Sequence, residues 1–310
     1  MNSIAVGIDV AKDSFVVSID KGKPFELANT KARCLDLAER LPIGAIIHLE
    51  ATGGYERLVR HTLADKGFVV HIHNPLNARR MNQARSVKAK TDPIDAIQLA
   101  ESGPLLPLRK AKSLEQEHLA DHSRTIDTLT LTVAGFKKRL ARPLLDPFAA
   151  DGLERAISDL ESRIQELERS FAQRIRTSSL AVEHQLLLSV PGVGPVTARR
   201  VMSELPANYM EATPAQIASY AGTVPFDHSS GKFKGKAHVG RGNSHLKGAT
   251  YMGVMSLLAS DACFKAHYQR MRARGSCHQE AAVALMRKLL MRIVVVLHRG
   301  TPWVKDLPST

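Results

Sequence analysis

Cysteine is scarce in this chain, with three among 310 residues. Cys34, Cys263 and Cys277 are odd in number and widely spaced, which excludes a disulfide framework and a zinc-ligand pattern and fits a reducing cytosol. Long apolar runs are also missing: the strongest candidate for a membrane span, residues 293–297, is far too short to cross a membrane and lies between Arg292 and Arg299. No signal-peptide pattern precedes the first predicted strand. We therefore expect a cytoplasmic protein without a membrane partner.

Acidic residues are outnumbered in this chain. Lys and Arg together number 43 against 30 Asp and Glu, a formal net charge of +13. This excess favours a polyanionic partner, most simply nucleic acid, over a merely basic globular protein. With 44% apolar residues, the chain is globular rather than disordered and long enough for two or three domains.

Residues 1–110 alternate strand and helix patterns. Apolar runs predict strands near residues 4–10, 14–19, 45–50 and 68–72, and helical patterns lie at residues 31–41 and 55–66. The first two strands are close enough to form a hairpin. A hairpin followed by strand–helix units predicts an α/β layer fold with a mixed sheet.

Four acidic residues carry the strongest chemical signal. Asp9 and Glu50 end apolar runs, and Asp92 and Asp95 lie three apart at the start of a predicted helix, which puts them on one face. The aspartate pair alone is typical of a solvated helix start. Ionised carboxylates at the ends of apolar strands, however, are costly unless something pairs with them. All four together predict a site for two magnesium ions of the kind used in phosphoryl transfer. Asp13 and Glu56 are interpreted as surface charges.

Residues 111–180 carry a heptad pattern of apolar residues in two helical stretches, at residues 126–140 and 153–171. The two stretches flank Pro143 and Pro147. The pattern predicts either an antiparallel hairpin within one chain or pairing with another chain. This coiled-coil arm would space or dimerise the flanking domains.

Residues 181–310 form a predicted third domain, mostly helical. Its sequence PGVG, residues 191–194, is typical of a helix-hairpin-helix element, in which amides near Gly192 and Gly194 face a phosphate, or equally of an ordinary glycine-capped helix connection. A Gly/Lys/Ser-rich loop follows, and such loops carry function more often than architecture. The loop contains the adjacent hydroxyls Ser229 and Ser230. Its basic residues are candidates for nucleic-acid binding; they are Lys232, Lys234, Lys236 and Arg241.

The loop serines have no activating base beside them except His228, so the residues alone favour turn formers over nucleophiles. His71 and His73 alternate on a strand and His118 and His122 are four apart on a helix, and both pairs are interpreted as ordinary histidines. A basic stretch before Asp92 is the candidate for phosphate contacts; it contains Arg79, Arg80, Arg85, Lys88 and Lys90.

The order of these motifs resembles the DEDD transposases of bacterial insertion sequences, the recombinases guided by a bridge RNA. The resemblance rests on GIDVAK at residues 7–12, LEATGGY at 49–55, KTDPIDA at 90–96, PGVG at 191–194 and the Ser230–Gly231 pair. It implies a RuvC-like, RNase H-like first domain with a magnesium site at the four acids. It also implies that Ser230 attacks a DNA phosphate and becomes linked to it, at a composite site often formed across subunits.

The resemblance further implies double-stranded DNA partners (element ends and target), a guide RNA, a homo-oligomer and a place at the bacterial nucleoid. The main rival is a RuvC-like junction-resolving nuclease that uses metal-activated water, and the long C-terminal part argues against it. An actin-like or sugar-kinase ATPase would need a Gly-rich phosphate loop near Asp9, where the sequence has VAK. A non-catalytic nucleic-acid scaffold is the third alternative.

Overall fold

The structure, a computed structural model, describes residues 4–85, 91–107, 110–226, 229–230, 233–234, 238–239 and 242–304. Two compact units divide the chain, Met1–Ala111 and Lys112–Thr310. None of the described helices combines the length and the hydropathy that crossing a lipid bilayer requires.

The first unit is built on a mixed five-stranded sheet with the order β3-β2-β1-β4-β5. Strand β1 pairs antiparallel with β2 and parallel with β4, which in turn pairs parallel with β5. The predicted hairpin and mixed sheet are confirmed, and β3 is an additional edge strand. The strands are β1 Ala5–Val10, β2 Ser14–Ile19, β3 Phe25–Ala28, β4 Ile46–Glu50 and β5 Val69–His73; the helices are α1 Lys31–Arg40, α2 Arg57–Asp65, α3 Pro75–Ala84 and α4 Asp92–Ser102, followed by a 3-10 turn at Gly103–Leu105.

The two faces of the sheet are covered differently. Val6, Ile8 and Leu49 point to one face and share a core with α1 and α2. The opposite face, here called the α4 face, carries Gly7 of β1, and a Cβ on Gly7 would overlap the Ala96 carbonyl and the Ala100 amide of α4. Glycine therefore lets the backbone of α4 rest directly on β1.

Two buried histidines also lie on the α4 face. His48 is opposite Gly7 in the parallel register and its Nδ1 lies 3.0 Å from Nε2 of His73. Gly103 packs over the His48 ring so closely that a Cβ there would overlap it. Burial, followed by the charges of the neighbouring histidines, lowers the pKa of His48 and of His73 to about 4. Both rings are therefore neutral at physiological pH.

The second unit is a helical assembly around α12, whose inward side chains are almost completely buried. Two short two-stranded ribbons, β6 with β9 and β7 with β8, lie between α9 and α10. The helices are α5 Leu114–Leu140, α6 Pro147–Thr177, α7 Ala181–Ser189, α8 Pro195–Glu204, α9 Pro214–Tyr220, α10 Ser244–Ser260, α11 Ala262–Ala273 and α12 His278–Arg299; the strands are β6 Pro225–Phe226, β7 Ser229–Ser230, β8 Phe233–Lys234 and β9 His238–Val239.

Helices α5 and α6 form an antiparallel hairpin within the chain. The Lys137 Nζ atom lies 2.7 Å from Glu161 Oε1, and His122 Nε2 lies 2.9 Å from the Leu167 carbonyl. Leu119 and Phe171, near the base of the hairpin, belong to the same core as the C-terminal helices. The hairpin and those helices therefore pack as one unit, and the predicted boundary between residues 180 and 181 stays a prediction.

A buried carboxylate ties three helices of this unit together. Glu204 of α8 is 2% exposed and accepts hydrogen bonds from Arg124 Nε at 2.8 Å and Arg124 Nη2 at 3.0 Å. The Asn243 side chain, which caps α10, donates to Glu204 Oε2 at 2.8 Å. Burial opposes ionisation of Glu204, but the hydrogen bonds from Arg124 and Asn243 and the charge of Arg124 outweigh it and lower its pKa. Glu204 is thus an ionised, fully bonded anchor.

The histidine pair predicts a pH-dependent stability of the first unit. Between pH 6.5 and about 4 the unfolded chain binds more protons than the folded one, because the pKa of each ring falls from 6.5 to about 4 on folding. The stabilisation is complete above pH 6.5 and is lost as the pH falls toward 4. Hydrogen exchange at the β4 amides should show this loss, and a His73→Leu variant should show a shallower dependence on pH.

The control is His118→Gln, a substitution of an exposed residue of α5, which should leave the pH dependence of hydrogen exchange at β4 unchanged. An identical dependence in the wild type and in His73→Leu would contradict the role of the pair.

Removing the partner of Glu204 should destabilise the second unit. Arg124→Met leaves a buried carboxylate without its bidentate donor, and we expect the free energy of unfolding to fall by about 1–3 kcal/mol. Urea unfolding followed by the fluorescence of Trp303, the only tryptophan and part of this packing, measures it. Arg163→Met is the matched control, because its pair with Glu166 is exposed and such pairs contribute about 0–1 kcal/mol. Equal losses in both variants would refute the assignment.

Candidate active site

Asp9 and Glu50 lie side by side at the carboxyl ends of two parallel strands. Ile8 of β1 is opposite Leu49 of β4, so Asp9 and Glu50 come next on their strands. Side chains alternate along a strand, and Asp9 lies two residues beyond Gly7 while Glu50 lies two beyond His48. Both carboxylates therefore belong to the α4 face.

Asp92 and Asp95 occupy the first turn of α4, as the sequence predicts. The positive end of a helix stabilises carboxylates in this position. Asp95 immediately precedes Ala96, whose carbonyl rests against Gly7. Gly7 in turn lies about 7 Å from Asp9 along β1, since two strand residues span that length. The start of α4 is thus brought to the sheet face that carries Asp9.

The chemistry of this donor set fits a hard divalent cation, because it consists of carboxylate oxygens. Within the described residues, however, no group of three or more His, Cys, Asp or Glu side chains lies at metal-binding spacing. Asp9, Glu50 and Asp95 each have an interaction partner. Carboxylates repel one another, so closing them onto one point requires a cation. A metal site at these four residues remains a proposal.

The sequence interpretation missed the environment of Glu50. His73 is opposite Glu50 in the register of β4 and β5, so Asp9, Glu50 and His73 form one row across three adjacent strands. In the sequence, His48 and Glu50 are two residues apart, as are His71 and His73, so each pair is expected on one face of its strand. Only the parallel register of β4 and β5 shows that the two pairs lie next to each other.

The burial of Glu56 differs from the prediction. The sequence predicts a surface charge at this position, but the residue is 7% exposed. Its Oε2 accepts hydrogen bonds from Thr52 Oγ1 at 2.9 Å, from the Thr52 amide at 3.1 Å and from the Gly54 amide at 2.8 Å. Glu56 is buried because it satisfies the backbone of the turn that follows β4. It therefore shapes the chain directly after Glu50.

The basic residues before α4 are only partly described. Arg79 and Arg80 are exposed on α3, whereas Arg85 pairs with Glu101 of α4 at 2.8 Å. Lys88 and Lys90 lie outside the described residues. Arg85 thus joins α3 to α4, and a phosphate contact by Arg79 and Arg80 stays a prediction.

The PGVG sequence forms the turn between α7 and α8. Gly192 has φ +84°, and a Cβ there would lie 2.5 Å from Leu257 Cγ of α10. Both the backbone conformation and the close packing account for glycine at this position. Gly194 is the N-terminal cap of α8 and has open space where a Cβ would be. The helix–turn–helix arrangement is present, and phosphate binding at it stays a prediction.

The two serines lie on β7, which pairs with β8. Ser229 is opposite Lys234 and Ser230 is opposite Phe233. The other basic residues of the predicted loop, Lys232, Lys236 and Arg241, lie outside the described residues.

The ends of the serine segment, residues 223–241, meet at one point. A Cβ on Gly242 would overlap the backbone of Gly222, and the Asn243 amide donates to the Tyr220 carbonyl at 2.9 Å. The Asn243 side chain continues to the buried carboxylate of Glu204. The segment that carries Ser230 therefore starts and ends on an anchored base.

Comparison with known proteins identifies two matches to transposase families. A model of the DEDD transposases of IS110 matches residues 6–148, and a model of the transposase IS116/IS110/IS902 family matches residues 184–269. The first match contains all four acids and the second contains Ser230 and Gly192.

Curated relatives agree. A pilin gene-inverting protein of Moraxella lacunata is 25% identical over 99% of both chains. The transposase for insertion sequence element IS1111A of Coxiella burnetii is 25% identical over 82% of this chain and 77% of its own. A 43.6 kDa protein of insertion element IS110 from Streptomyces coelicolor is 32% identical over 46% of this chain and 36% of its own. Together, the two matches and these relatives support a DNA transposase of the DEDD, IS110-like type.

Proposed function

We propose that this transposase cuts and exchanges DNA strands with a divalent-metal site at Asp9, Glu50, Asp92 and Asp95 and with Ser230 as nucleophile. One observation carries the first part: adjacent parallel strands place Asp9 and Glu50 on the α4 face, where Gly7 seats the acidic start of α4. A sheet with this hairpin, strand order and acid placement also supports a RuvC-like fold for the first unit.

Bound magnesium would offset charge at the reacting phosphate and lower the pKa of a nearby hydroxyl. The four carboxylates would hold it, and His73 and His48 pack beside Glu50 as neutral groups that do not compete for its charge. In the proposed step, the Ser230 oxygen bonds to a DNA phosphorus and a DNA oxygen leaves. The serine proton ends on the departing DNA hydroxyl, so the strand is held by a phosphoserine link until exchange.

Covalent strand exchange is favoured over simple hydrolysis by one relative. The Moraxella protein that aligns over 99% of both chains is named for inverting a pilin gene, and inversion requires that cut strands be rejoined. A guide RNA and a homo-oligomer are proposed on the family resemblance, and the +13 charge suits both nucleic acids.

Neutralising the acids should remove cleavage and keep the fold. Asp9→Asn and Asp92→Asn preserve shape but lose charge, and we expect cleavage of element-end DNA to fall about a thousandfold, or about 4 kcal/mol of barrier. The control is Asp13→Asn, an exposed acid just beyond β1, which should cleave normally. Circular dichroism verifies folding. Cleavage that persists in excess chelator, or full activity of both variants, would contradict the metal site.

The two serines should differ in covalent attachment. Ser230→Ala should abolish the protein–DNA adduct while DNA binding remains, whereas Ser229→Ala, one residue away, should retain the adduct. Trapping the adduct on a nicked substrate and mapping the modified peptide by mass spectrometry decides between them. An adduct on Ser229 would move the nucleophile by one residue. DNA cleavage without any adduct would favour the water-using resolvase.

A further inference from the structure

Helices α11 and α12 carry an unusual surplus of positive charge. Between residues 261 and 299 there are eight Lys or Arg and two acidic residues. The two acids are Asp261, which caps α11 through the Cys263 and Phe264 amides, and Glu280, which accepts from the Cys277 amide. The basic residues of this stretch outnumber the acidic ones by six.

Some of these cations are used inside the unit. Arg292 stacks over Phe264 at 4.5 Å and over Trp303 at 4.8 Å and lies 3.8 Å from Asp261. Arg272 donates to the Ser276 carbonyl at 2.8 Å. Because Arg292 and Arg272 already have partners within the unit, we do not count them among the cations that could contact a ligand.

Four other side chains form what we call the cationic cluster: His267 and Arg270 of α11, Arg274, which is the C-terminal cap of α11, and Lys288 of α12. The first three follow the spacing i, i+3, i+7, which places them along one side of the helix and its end. Lys288 lies across the helix pair, with Nζ 5.8 Å from the Phe264 ring. Arg270 and Arg274 are exposed.

The members of this cluster lack ion-pair partners among the described residues. Other exposed cations of the same unit are paired: Arg155 with Asp151 at 2.9 Å, and Arg163 with Glu166 at 3.1 Å. Burial first, and then the charges of Lys288, Arg270 and Arg274, lower the pKa of His267. The cations are thus close enough to act on one ring together.

Holding three cations near one another without counter-charge costs repulsion that a polyanion would remove. Each cation of the cluster can neutralise a phosphate and release its condensed counterion. Arginine is well suited to phosphate recognition. The Arg and Lys side chains of the cluster carry donors only, which suits the acceptor oxygens of phosphates, and phosphate contacts carry no sequence information.

We propose that the cationic cluster is a sequence-independent contact surface for the backbone of duplex DNA. The proposal rests on the DNA-transposing function, and it adds a surface on the second unit that is separate in sequence from the basic stretch before α4. Its role is to hold DNA, and it takes no part in the chemical step.

The test compares two triple variants of the full chain that remove equal charge. The test variant is Arg270→Gln with Arg274→Gln and Lys288→Gln; the control is Lys137→Gln with Arg155→Gln and Arg163→Gln, whose cations are paired. Binding to two unrelated DNA duplexes is measured in chelator over a range of KCl. We expect the test variant to bind both duplexes about tenfold or more weakly, with the salt slope reduced by about 2–3. The control should keep the wild-type slope.

Three results would overturn the proposal. An unchanged slope in the test variant would show a merely solvated surface, and equal losses in both variants would show an effect of net charge alone. Weakened binding of structured RNA with unaltered DNA binding would assign the surface to RNA. The double variant Arg270→Gln, Arg274→Gln changes only exposed side chains and keeps the contact of Lys288 with Phe264. It should therefore fold normally and still bind DNA more weakly than the wild type. A wild-type chain that binds no DNA would instead refute the proposed function itself.

Discussion

The contact between α4 and Gly7 is the constraint on which the candidate site depends. A side chain at residue 7 would overlap the helix backbone at Ala96 and Ala100, so only glycine allows the helix to lie directly on β1. That contact fixes the start of α4, with Asp92 and Asp95, against the face that carries Asp9 and Glu50. The two acids of α4, which are distant in sequence from Asp9 and Glu50, are thereby brought to the same face of the sheet. The same close packing continues at Gly103, which rests on His48.

The two units handle charge in different ways. In the second unit, buried charges are paired: Glu204 with Arg124, and Asp127 with both Arg199 and Arg200. Buried pairs of this kind contribute little net stability but are costly to break, so they favour one packing over others. In the first unit the acids gather on one face, and the neutral state of His48 and His73 adds no positive charge there. The proposed divalent cation would add positive charge at that face.

Much of this fold can be predicted from the sequence because its signals are local. Apolar runs gave the β1–β2 hairpin, and heptad spacing gave the helices of the α5–α6 hairpin, although spacing alone left open which chain α6 pairs with. The four acids were found because each stands at the edge of an apolar or helical pattern. The short strand β3 was missed, since it is an edge strand with exposed alternate residues. The burial of Glu56 was wrongly predicted and the contact between His48 and His73 was missed, because both depend on turn geometry or strand register, which no local pattern contains.

The anchor at Glu204 connects features that are far apart along the chain. Arg124 lies on α5 of the hairpin, Glu204 on α8 after the PGVG turn, and Asn243 at the end of the serine segment. Tyr220, just before the segment, also contacts Asn243 through its hydroxyl at 3.2 Å. A shift of α5 must either break two charge-assisted hydrogen bonds to a buried carboxylate or move that carboxylate and Asn243 with it. Because breaking them is costly, Asn243 and Tyr220, which flank the serine segment, are held to the α5–α6 hairpin through Glu204.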